Sequence, residues 1–517
     1  MRDFKHQRML IFLLIFSLIV CFLMSDRVFA QKKPEGKTFK FDPKRPQEAE
    51  LKMSIEDDFT LAAVGDCIIA RPHSQIRDPR FQAFLKILRD ADATFGNCET
   101  SFFNIRGFKG YPQAETGGWY LIGAPATAKD LKVMGFDLLS RANNHTMDWG
   151  LEGMRETSRL LDEAGLVHAG SGEHRGKARA PRYFESEKGR VGLVSMATTF
   201  TRLSQSMPPW GQAPGRPGIN AIKTTRYTIV TPEMMKALRK IRDEIKEARK
   251  KRNIETTGAP RPPYREEEEE KKAKKDELTL FGTKFRQGDR IGYTYEMDTT
   301  DFNENLMNVR QGKQYSDFLI ATIHAHQGGL GRDDIADFHQ KLAHAVIDAG
   351  ADVFIGHGVH LLRPIEIYKG KPIFYSLGDF FWDDKQEPFA ADYFERYRKD
   401  LIAAFGDPRK ATDADMTAVL NSKGWGSKEE DNLVFQSVIA VSKYEKGQVS
   451  EIRLYPVDLG YGRRLTESGV PRVPSPELAR RILERLKRMS KPFGTEISIE
   501  ENIGIIRVPL AKKSPPK

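Results

Sequence analysis

Short apolar runs alternate along this chain with longer amphipathic segments, starting at residue 59. Continuous apolar runs are typical of buried strands, whereas apolar residues at every third or fourth position are typical of helices. The pattern predicts strands at 59–64, 93–96, 136–140, 190–196, 318–323, 353–356 and 372–377. It predicts helices between them at 81–91, 127–135, 150–165 and 335–350. This alternation indicates an α/β fold with layered sheets.

The alternation of predicted strands and helices is interrupted between residues 201 and 316. Loop-forming residues come first, followed by an amphipathic helix at 231–251 and a low-complexity run of charges. We interpret about 230–310 as an insertion. It either covers the functional site or, for 252–278, forms a disordered surface excursion. The chain then returns to strands at 433–443, 449–457 and 503–508, with a helix at 476–490.

The first thirty residues have the features of a targeting segment. Basic residues precede the apolar run MLIFLLIFSLIVCFLM, and Val28 and Ala30 fit the small-residue pattern of a signal peptidase site. A cleaved signal peptide (1–30) is favoured, and an uncleaved membrane anchor is the alternative. Residues 31–58 are predicted to be a linker and 508–517 a basic tail. We therefore expect export to the periplasm, cell envelope or extracellular space, with or without an N-terminal anchor.

Composition and charge restrict the kinds of molecule that the protein is expected to bind. The 517 residues are 39% hydrophobic and 30% charged, which excludes a wholly disordered chain. The net charge of +11 suits an acidic polymer or an anionic membrane surface, although a basic surface that only favours solubility explains it equally well. The chain has no aromatic-interleaved basic stripe, so nucleic acid is not an expected partner. The oligomeric state does not follow from the sequence.

Polar side chains gather where the predicted strands end. Five of the eleven histidines lie in these strand-exit loops, together with acidic and amide residues. In open α/β sheets, ligands bind at the carboxyl ends of the strands, where loops from different strands meet. We therefore expect the following residues to converge: Asp66, Glu99, Asn144, His145, His324, His326, His357 and His360.

Carboxylate, amide and imidazole groups together are typical of a divalent metal site. The predicted ligands, for one or two ions of Mn, Zn or Fe, are Asp66, Glu99, Asn144, His324, His357 and His360. His145 is predicted to protonate a leaving group, and His326 to hold the substrate or the attacking water. Asp148 either orients His145 or, as we favour, caps the following helix. Cys67 and Cys98 are interpreted as core thiols, with a disulfide as the alternative.

Several of these stretches together resemble the CapA family, the poly-gamma-glutamate capsule-synthesis proteins of the metallophosphatase-like superfamily. They are VGDCIIAR, FGNCETSF, SRANNHTMDWG, IATIHAHQGG and GHGVHLLRPIEIYKGKPIFYSLGDFFW. The resemblance covers about residues 59–507 and implies a four-layer α/β/β/α sandwich with its metal site at the strand ends. It also implies a histidine ligand two residues after Asp66, where this chain has Ile68.

Two functions are consistent with these features. The first is an exported metal-dependent hydrolase acting on a phosphoester or on an anionic envelope polymer such as poly-gamma-glutamate. The second is a non-catalytic, membrane-associated accessory protein that holds or exports poly-gamma-glutamate. A membrane-bound polymer-synthesis complex is an expected partner in either case. The apolar residue Ile68 favours the second function.

Overall fold

The computed structural model describes residues 53–113, 120–251, 274–383, 389, 391–422, 431–464 and 466–510. The predicted signal segment, most of the linker, the charged run up to residue 273 and the end of the basic tail lie outside the described residues. Within the described part of the chain, we find no helix that combines the length and the apolar character needed to cross a membrane.

The first sheet has nine strands and contains β1 (Phe59–Ile69) near its centre. β1 lies in the order β22 (Ser498–Glu500), β23 (Ile503–Arg507), β21 (Gln448–Asp458), β20 (Gln436–Glu445), β1, β2 (Ala93–Cys98), β5 (Leu138–Ser140) and β6 (Val167–Ala169). The ninth strand, β19 (Asp379–Asp383), pairs with the second half of β1. Because β1, β2, β5 and β6 are parallel, their carboxyl ends share one edge.

The second sheet has six strands. Their order is β17 (Ile365–Tyr368), β18 (Lys371–Phe374), β16 (Val353–His357), β15 (Phe318–His324), β9 (Gly189–Ala197) and β8 (Arg182–Ser186). The four strands from β18 to β9 are parallel, so this sheet also has a common carboxyl edge.

Smaller sheets lie outside these two. The region interpreted as an insertion carries helix α5 (Pro232–Lys251) and contributes to a sheet ordered β12 (Glu277–Leu280), β13 (Thr283–Gln287), β11 (Thr224–Val230) and β14 (Gly292–Met297). Two short pairs complete the described strands: β3 (Ser101–Phe102) with β4 (Ile122–Gly123), and β7 (Ser171–Gly172) with β10 (Gly218–Ile219).

Helices cover the outer face of each main sheet. Buried side chains of α1 (Pro79–Asp90), α2 (Ala126–Met134) and α3 (Gly150–Glu163) pack on the first sheet, and those of α6 (Thr299–Gln314) and α7 (Asp337–Asp348) pack on the second. The predicted four-layer α/β/β/α sandwich is therefore confirmed. The remaining described helices are α4 (Arg175–Arg179), α8 (Ala391–Arg396), α9 (Arg398–Phe405), α10 (Asp413–Ser422) and α11 (Pro476–Ser490).

The central core lies between the two main sheets. Phe59 of β1 and Phe318 of β15 are both buried, with ring centres 5.1 Å apart, and Leu483 of α11 belongs to the same cluster. Burying a phenylalanine side chain contributes about 1.5–3 kcal/mol. This apolar layer fixes the carboxyl edge of one sheet relative to the carboxyl edge of the other. The polar side chains beyond the two edges are positioned as a result.

Strand β1 changes its partner at Gly65. It pairs with β20 as far as Ala63 and with β19 from Asp66 onward. A Cβ atom on Gly65 would lie 1.8 Å from the carbonyl oxygen of Gly378, so only glycine permits this approach. The Asp66 amide then donates to that carbonyl oxygen at 3.0 Å. The pairing with β19 explains why β1 continues to Ile69, beyond the predicted end at residue 64.

Candidate metal centre

Asp66 joins the strand ends of both main sheets. Its Oδ1 lies 3.4 Å from Nδ1 of His357 and 3.9 Å from Nδ1 of His324, and its Oδ2 lies 3.6 Å from Nδ1 of His360. The backbone amide of Gly358 donates to Oδ2 at 2.8 Å. One buried carboxylate from the first sheet therefore lies beside three imidazoles at the strand ends of the second: His324 and His357 end β15 and β16, and His360 follows β16.

Glu99, His326 and His360 form a second group, with one potential ligand atom from each lying within 4.8 Å of the others. His324 connects the two groups. Its Nδ1 faces Asp66, while its Nε2 lies 3.0 Å from Nε2 of His326 and 3.7 Å from Oε1 of Glu99. The predicted ligand His324 and the predicted substrate residue His326 are thus neighbours in one continuous cluster.

Asp379 lies in this cluster but was not among the predicted ligands. Its Oδ1 is 2.9 Å from Nδ1 of His360, and Asp66, His360 and Asp379 form a third potential ligand group. Asp379 is in register with Asp66 across the parallel strands β19 and β1. A signal was available in the sequence, because a Gly-Asp pair follows the predicted strand at 372–377 just as Gly65-Asp66 follows the first.

Two asparagines hold the carboxylates and the neighbouring loop in place. Asn97 donates through Nδ2 to Oδ1 of Asp66 at 2.7 Å, and that nitrogen lies 3.4 Å from Oε2 of Glu99. Asn143 in turn donates to Oδ1 of Asn97 at 3.1 Å. The amides of Asn97 and Asn143 are therefore engaged, and Asn144, the predicted amide ligand, is the next residue along the loop.

Three oxygen atoms in this region are buried without a hydrogen-bond partner among the described residues. They are Oε1 of Glu99, Oδ2 of Asp379 and Oδ1 of Asn144. An unsatisfied buried polar atom costs about 1–3 kcal/mol. These atoms and the closely spaced imidazole nitrogens form a mixed nitrogen and oxygen donor set without thiolate, which fits Zn, Mn or Fe. The residues present fit a divalent cation.

The protonation of the carboxylates reflects burial and mutual repulsion. Burial, followed by the charges of Asp66 and Asp379, raises the pKa of Glu99 well above its ordinary value. Burial likewise raises the pKa of Asp379 to about 7, although His360 opposes the shift. Burial also acts to raise the pKa of Asp66, but the nearby imidazoles of His357, His324 and His360 outweigh it and hold that pKa well below its usual range.

The imidazoles of His324 and His326 are shifted towards their neutral forms. Burial lowers the pKa of His326 to about 3 and, helped by His326, lowers that of His324 well below its ordinary value. Both rings are therefore neutral near pH 7, so each has a nitrogen lone pair available. An ionised Asp66 beside the neutral imidazole of His324 is a combination that binds a cation.

Comparison with known families identifies the class of protein. The family described as bacterial capsule synthesis protein PGA_cap matches residues 60–384, a span that contains the whole cluster. The chain belongs to the PGA_cap family. The resemblance to capsule-synthesis CapA proteins is thereby confirmed.

Individual relatives of this PGA_cap chain differ in their similarity. The uncharacterized protein y4sH of Sinorhizobium fredii is 47% identical over 461 residues, covering 88% of this chain and 94% of that protein. The PGA biosynthesis protein CapA of Bacillus subtilis is 24% identical over 346 residues, covering 66% of this chain and 67% of that protein. The capsule biosynthesis protein CapA of Bacillus anthracis is 23% identical over 341 residues, covering 65% and 62%.

In this PGA_cap chain, the loop after β5 orients His145. Oδ2 of Asp148 lies 2.7 Å from Nδ1 of His145 and accepts a hydrogen bond from the Leu121 amide at 2.9 Å. Helix α3 has Trp149 at its N-cap and no side-chain cap. The favoured interpretation of Asp148 as a helix cap was therefore wrong, and its contact is with His145. Nε2 of His145 lies 3.9 Å from Oε1 of Glu99, at the edge of the cluster.

The residues beside Asp66 and Glu99 face the packing layer. Cys67 and Cys98 are free, buried and in register across β1 and β2, within the core beneath the outer helices. They supply neither a disulfide nor a ligand to the described cluster. Ile68 is buried and pairs opposite Trp382, so an apolar side chain occupies the position where the resemblance implies a histidine.

Proposed function

We propose that this PGA_cap family member is a metal-dependent hydrolase that cleaves an anionic envelope polymer of the poly-gamma-glutamate type. The observation that carries the proposal is the buried cluster itself. Its unpartnered oxygens on Glu99 and Asp379 lie beside closely spaced imidazoles, an arrangement that is costly to fold unless it serves a cation. The membership in a capsule-synthesis family supports poly-gamma-glutamate as the substrate.

The cluster residues divide into holding and positioning roles. We assign metal holding to Asp66, Glu99, Asn144, His324, His326, His357, His360 and Asp379. A divalent cation at such a site supplies Lewis acidity and lowers the pKa of a water that it binds. Asn97 Nδ2 contacts the carboxylates of both Asp66 and Glu99 and so holds them next to each other. The backbone amide of Gly358 holds Oδ2 of Asp66.

His145 is assigned the transfer of a proton to the leaving group. Asp148 accepts from the Leu121 amide and contacts Nδ1 of His145, so the Nδ1 proton is held towards the carboxylate. Nε2 is left facing the edge of the cluster, near Glu99. A side chain oriented in this way is suited to give a proton to a departing amine or alcohol.

A second candidate is the non-catalytic accessory role in holding or exporting poly-gamma-glutamate. The buried Ile68 favours it, because an apolar residue stands where a ligand is expected from the resemblance. Such a protein would bind the polymer without cleaving it, and its binding would survive chelation.

The decisive experiment is metal analysis of the purified protein, combined with a hydrolysis assay. His324→Ala and His357→Ala are expected to lose the metal and the hydrolysis of poly-gamma-glutamate, whereas His174→Ala, which removes an exposed histidine, is expected to retain both. p-Nitrophenyl phosphate added as a second substrate reports a phosphoesterase. A purified protein that contains no metal, and whose activity is unchanged by both substitutions, would exclude a metal-dependent hydrolase.

We also propose that the protein is exported and works beside a membrane-bound polymer-synthesis complex. The support is the apolar segment within residues 1–30 and its adjoining small-residue motif, which lie outside the described residues. A fusion of residues 1–58 to alkaline phosphatase, which is active only after export, tests this. Activity that equals that of a leaderless fusion would contradict it.

A further inference from the structure

A cleft of about 550 Å³ opens beside the cluster. One wall is formed by β11 and β14 of the four-stranded sheet, and the other by the loop of residues 327–332 that follows β15. His326 is the cluster residue that lines this cleft. A molecule lying in the cleft would therefore extend towards the metal centre.

The strand pairing directs one face of the small sheet into this cleft. Arg226 of β11 is paired directly opposite Tyr295 of β14, so both side chains emerge on the same face. The guanidinium of Arg226 also lies 5.1 Å from the ring centre of Tyr293. This cation–π contact and a hydrogen bond with Tyr295 hold the arginine against the wall, and the guanidinium retains further donors.

Arg332 supplies positive charge from the opposite wall. It donates to the carbonyl oxygen of Val359, next to His360, at 3.4 Å. The buried Arg363 anchors the loop by donating to the carbonyl oxygens of Gln327 and Arg332, each at 2.9 Å. The loop is thus held in place from beneath, and Arg332 stays at the mouth of the cleft.

These two arginines form no ion pair within the described part of the chain. Neither Arg226 nor Arg332 has a carboxylate oxygen within 4.0 Å there, and both side chains are exposed. The contrast is Arg286 of the same sheet, which is paired with Glu277 and Glu296. An unpaired guanidinium on each wall of a cleft is a recognition element for an anionic ligand.

We propose that Arg226 and Arg332 are specificity-determining residues that each bind a carboxylate of one polymeric substrate lying along the cleft. The inference rests on the proposed function for the choice of a carboxylate polymer. It adds that the four-stranded sheet selects the substrate, since Arg226 belongs to that sheet. A chain that carries repeated carboxylates presents one to each arginine.

The test is equilibrium binding to the full chain in the presence of EDTA, measured by fluorescence anisotropy of a labelled gamma-linked glutamate oligomer. Arg226→Gln and Arg332→Gln are each expected to weaken binding by about 10- to 100-fold, the effect of losing a charge-assisted hydrogen bond. Arg290→Gln is the matched control, because it removes an exposed arginine just before β14 that does not line the cleft. A gamma-linked glutamine oligomer of equal length is expected not to bind.

Three results would overturn the inference. The first is unchanged binding in both cleft variants, and the second is an equal loss in Arg290→Gln, which would indicate a general charge effect. The third is tighter binding of inorganic polyphosphate with the same arginine dependence, which would replace carboxylate by phosphate. Binding without cleavage would defeat the hydrolase proposal alone, whereas binding and cleavage of the glutamate oligomer that are unchanged in Arg226→Gln and Arg332→Gln would defeat this inference alone.

Discussion

The hydroxyl of Thr322 lies 2.9 Å from Nε2 of His357 and donates its hydrogen to the carbonyl oxygen of Ile355 at 2.7 Å. A threonine hydroxyl has one hydrogen, so at His357 it must accept. The imidazole proton therefore resides on Nε2, and the lone pair on Nδ1 faces Asp66 at 3.4 Å. Thr322 selects the tautomer of His357 that is able to bind a cation.

Thr322→Val is expected to weaken metal binding by about 10- to 100-fold, the usual effect of removing a partner that orients a histidine ligand. The valine keeps the shape of the side chain but leaves the proton free to occupy either nitrogen. Competition with a chromophoric chelator measures the affinity. Thr322→Ser retains the hydroxyl and should bind as the parent does, and equal affinities for the valine and serine variants would refute the assignment.

Removal of the metal is expected to lower the midpoint temperature of unfolding. A ligand that binds only the folded state adds about 2.7 kcal/mol when present at a hundredfold excess over its Kd. Thermal unfolding with Mn or Zn, and then with EDTA, should therefore give two different midpoints. Asp66→Asn should abolish the difference, and the surface variant His174→Ala should preserve it. If the midpoint temperature of the parent protein changed with neither metal nor EDTA, the metal assignment would be contradicted.

His145→Gln is expected to reduce the rate of polymer hydrolysis by about 10²- to 10⁴-fold without loss of the metal, since His145 is assigned a proton transfer. Asp148→Asn should cause a smaller loss, because the imidazole remains but is no longer held by a carboxylate. Hydrolysis rates and metal content are measured on the same samples. If the metal disappeared from His145→Gln, the residue would belong among the ligands instead.

Asp352 is expected to make the fold sensitive to acid. It accepts hydrogen bonds from Nζ of Lys313 and of Lys371, each at 2.8 Å, and from the Leu319 amide at 2.9 Å. Burial acts to raise the pKa of Asp352, but the two lysines outweigh it, so the pKa lies below its ordinary value. A carboxylate with a lowered folded-state pKa stabilises the fold above about pH 4, and this contribution is lost as the pH falls through the folded-state pKa.

Asp352→Asn should therefore remove part of the acid sensitivity. It should also cost about 3–5 kcal/mol at neutral pH, because it leaves the buried Lys313 without its counter-charge. Urea unfolding at a series of decreasing pH values measures both effects. Asp90→Asn, which breaks an exposed pair with Lys86, is the control and should change stability by about 0.5 kcal/mol or less. Equal effects of the two substitutions would contradict the prediction.

The central strands of the two main sheets, the helices α1, α2, α3, α5, α7 and α11, and most members of the cluster followed from the sequence alone. The strands β11 to β14 and the helix α6 were not predicted. Apolar periodicity is a local property, and the polar residues that end each strand are read directly beside it. Asp66, Glu99, His324, His357 and His360 were predicted from that position, and one ligand atom of each belongs to the groups that the structure brings together. Their roles as ligands stay predictions until metal is measured.

Only the tertiary structure decided which distant segments meet. Asp379 joins the cluster because β19 pairs with β1 beyond Gly65, and Asp148 turns to His145 rather than to its helix. The cleft between Arg226 and Arg332 likewise exists only once the four-stranded sheet lies against the 327–332 loop. Side-chain periodicity records which face of an element is buried, but it carries no information about which other element covers that face. That choice is made by strand register and by packing between segments far apart in the chain.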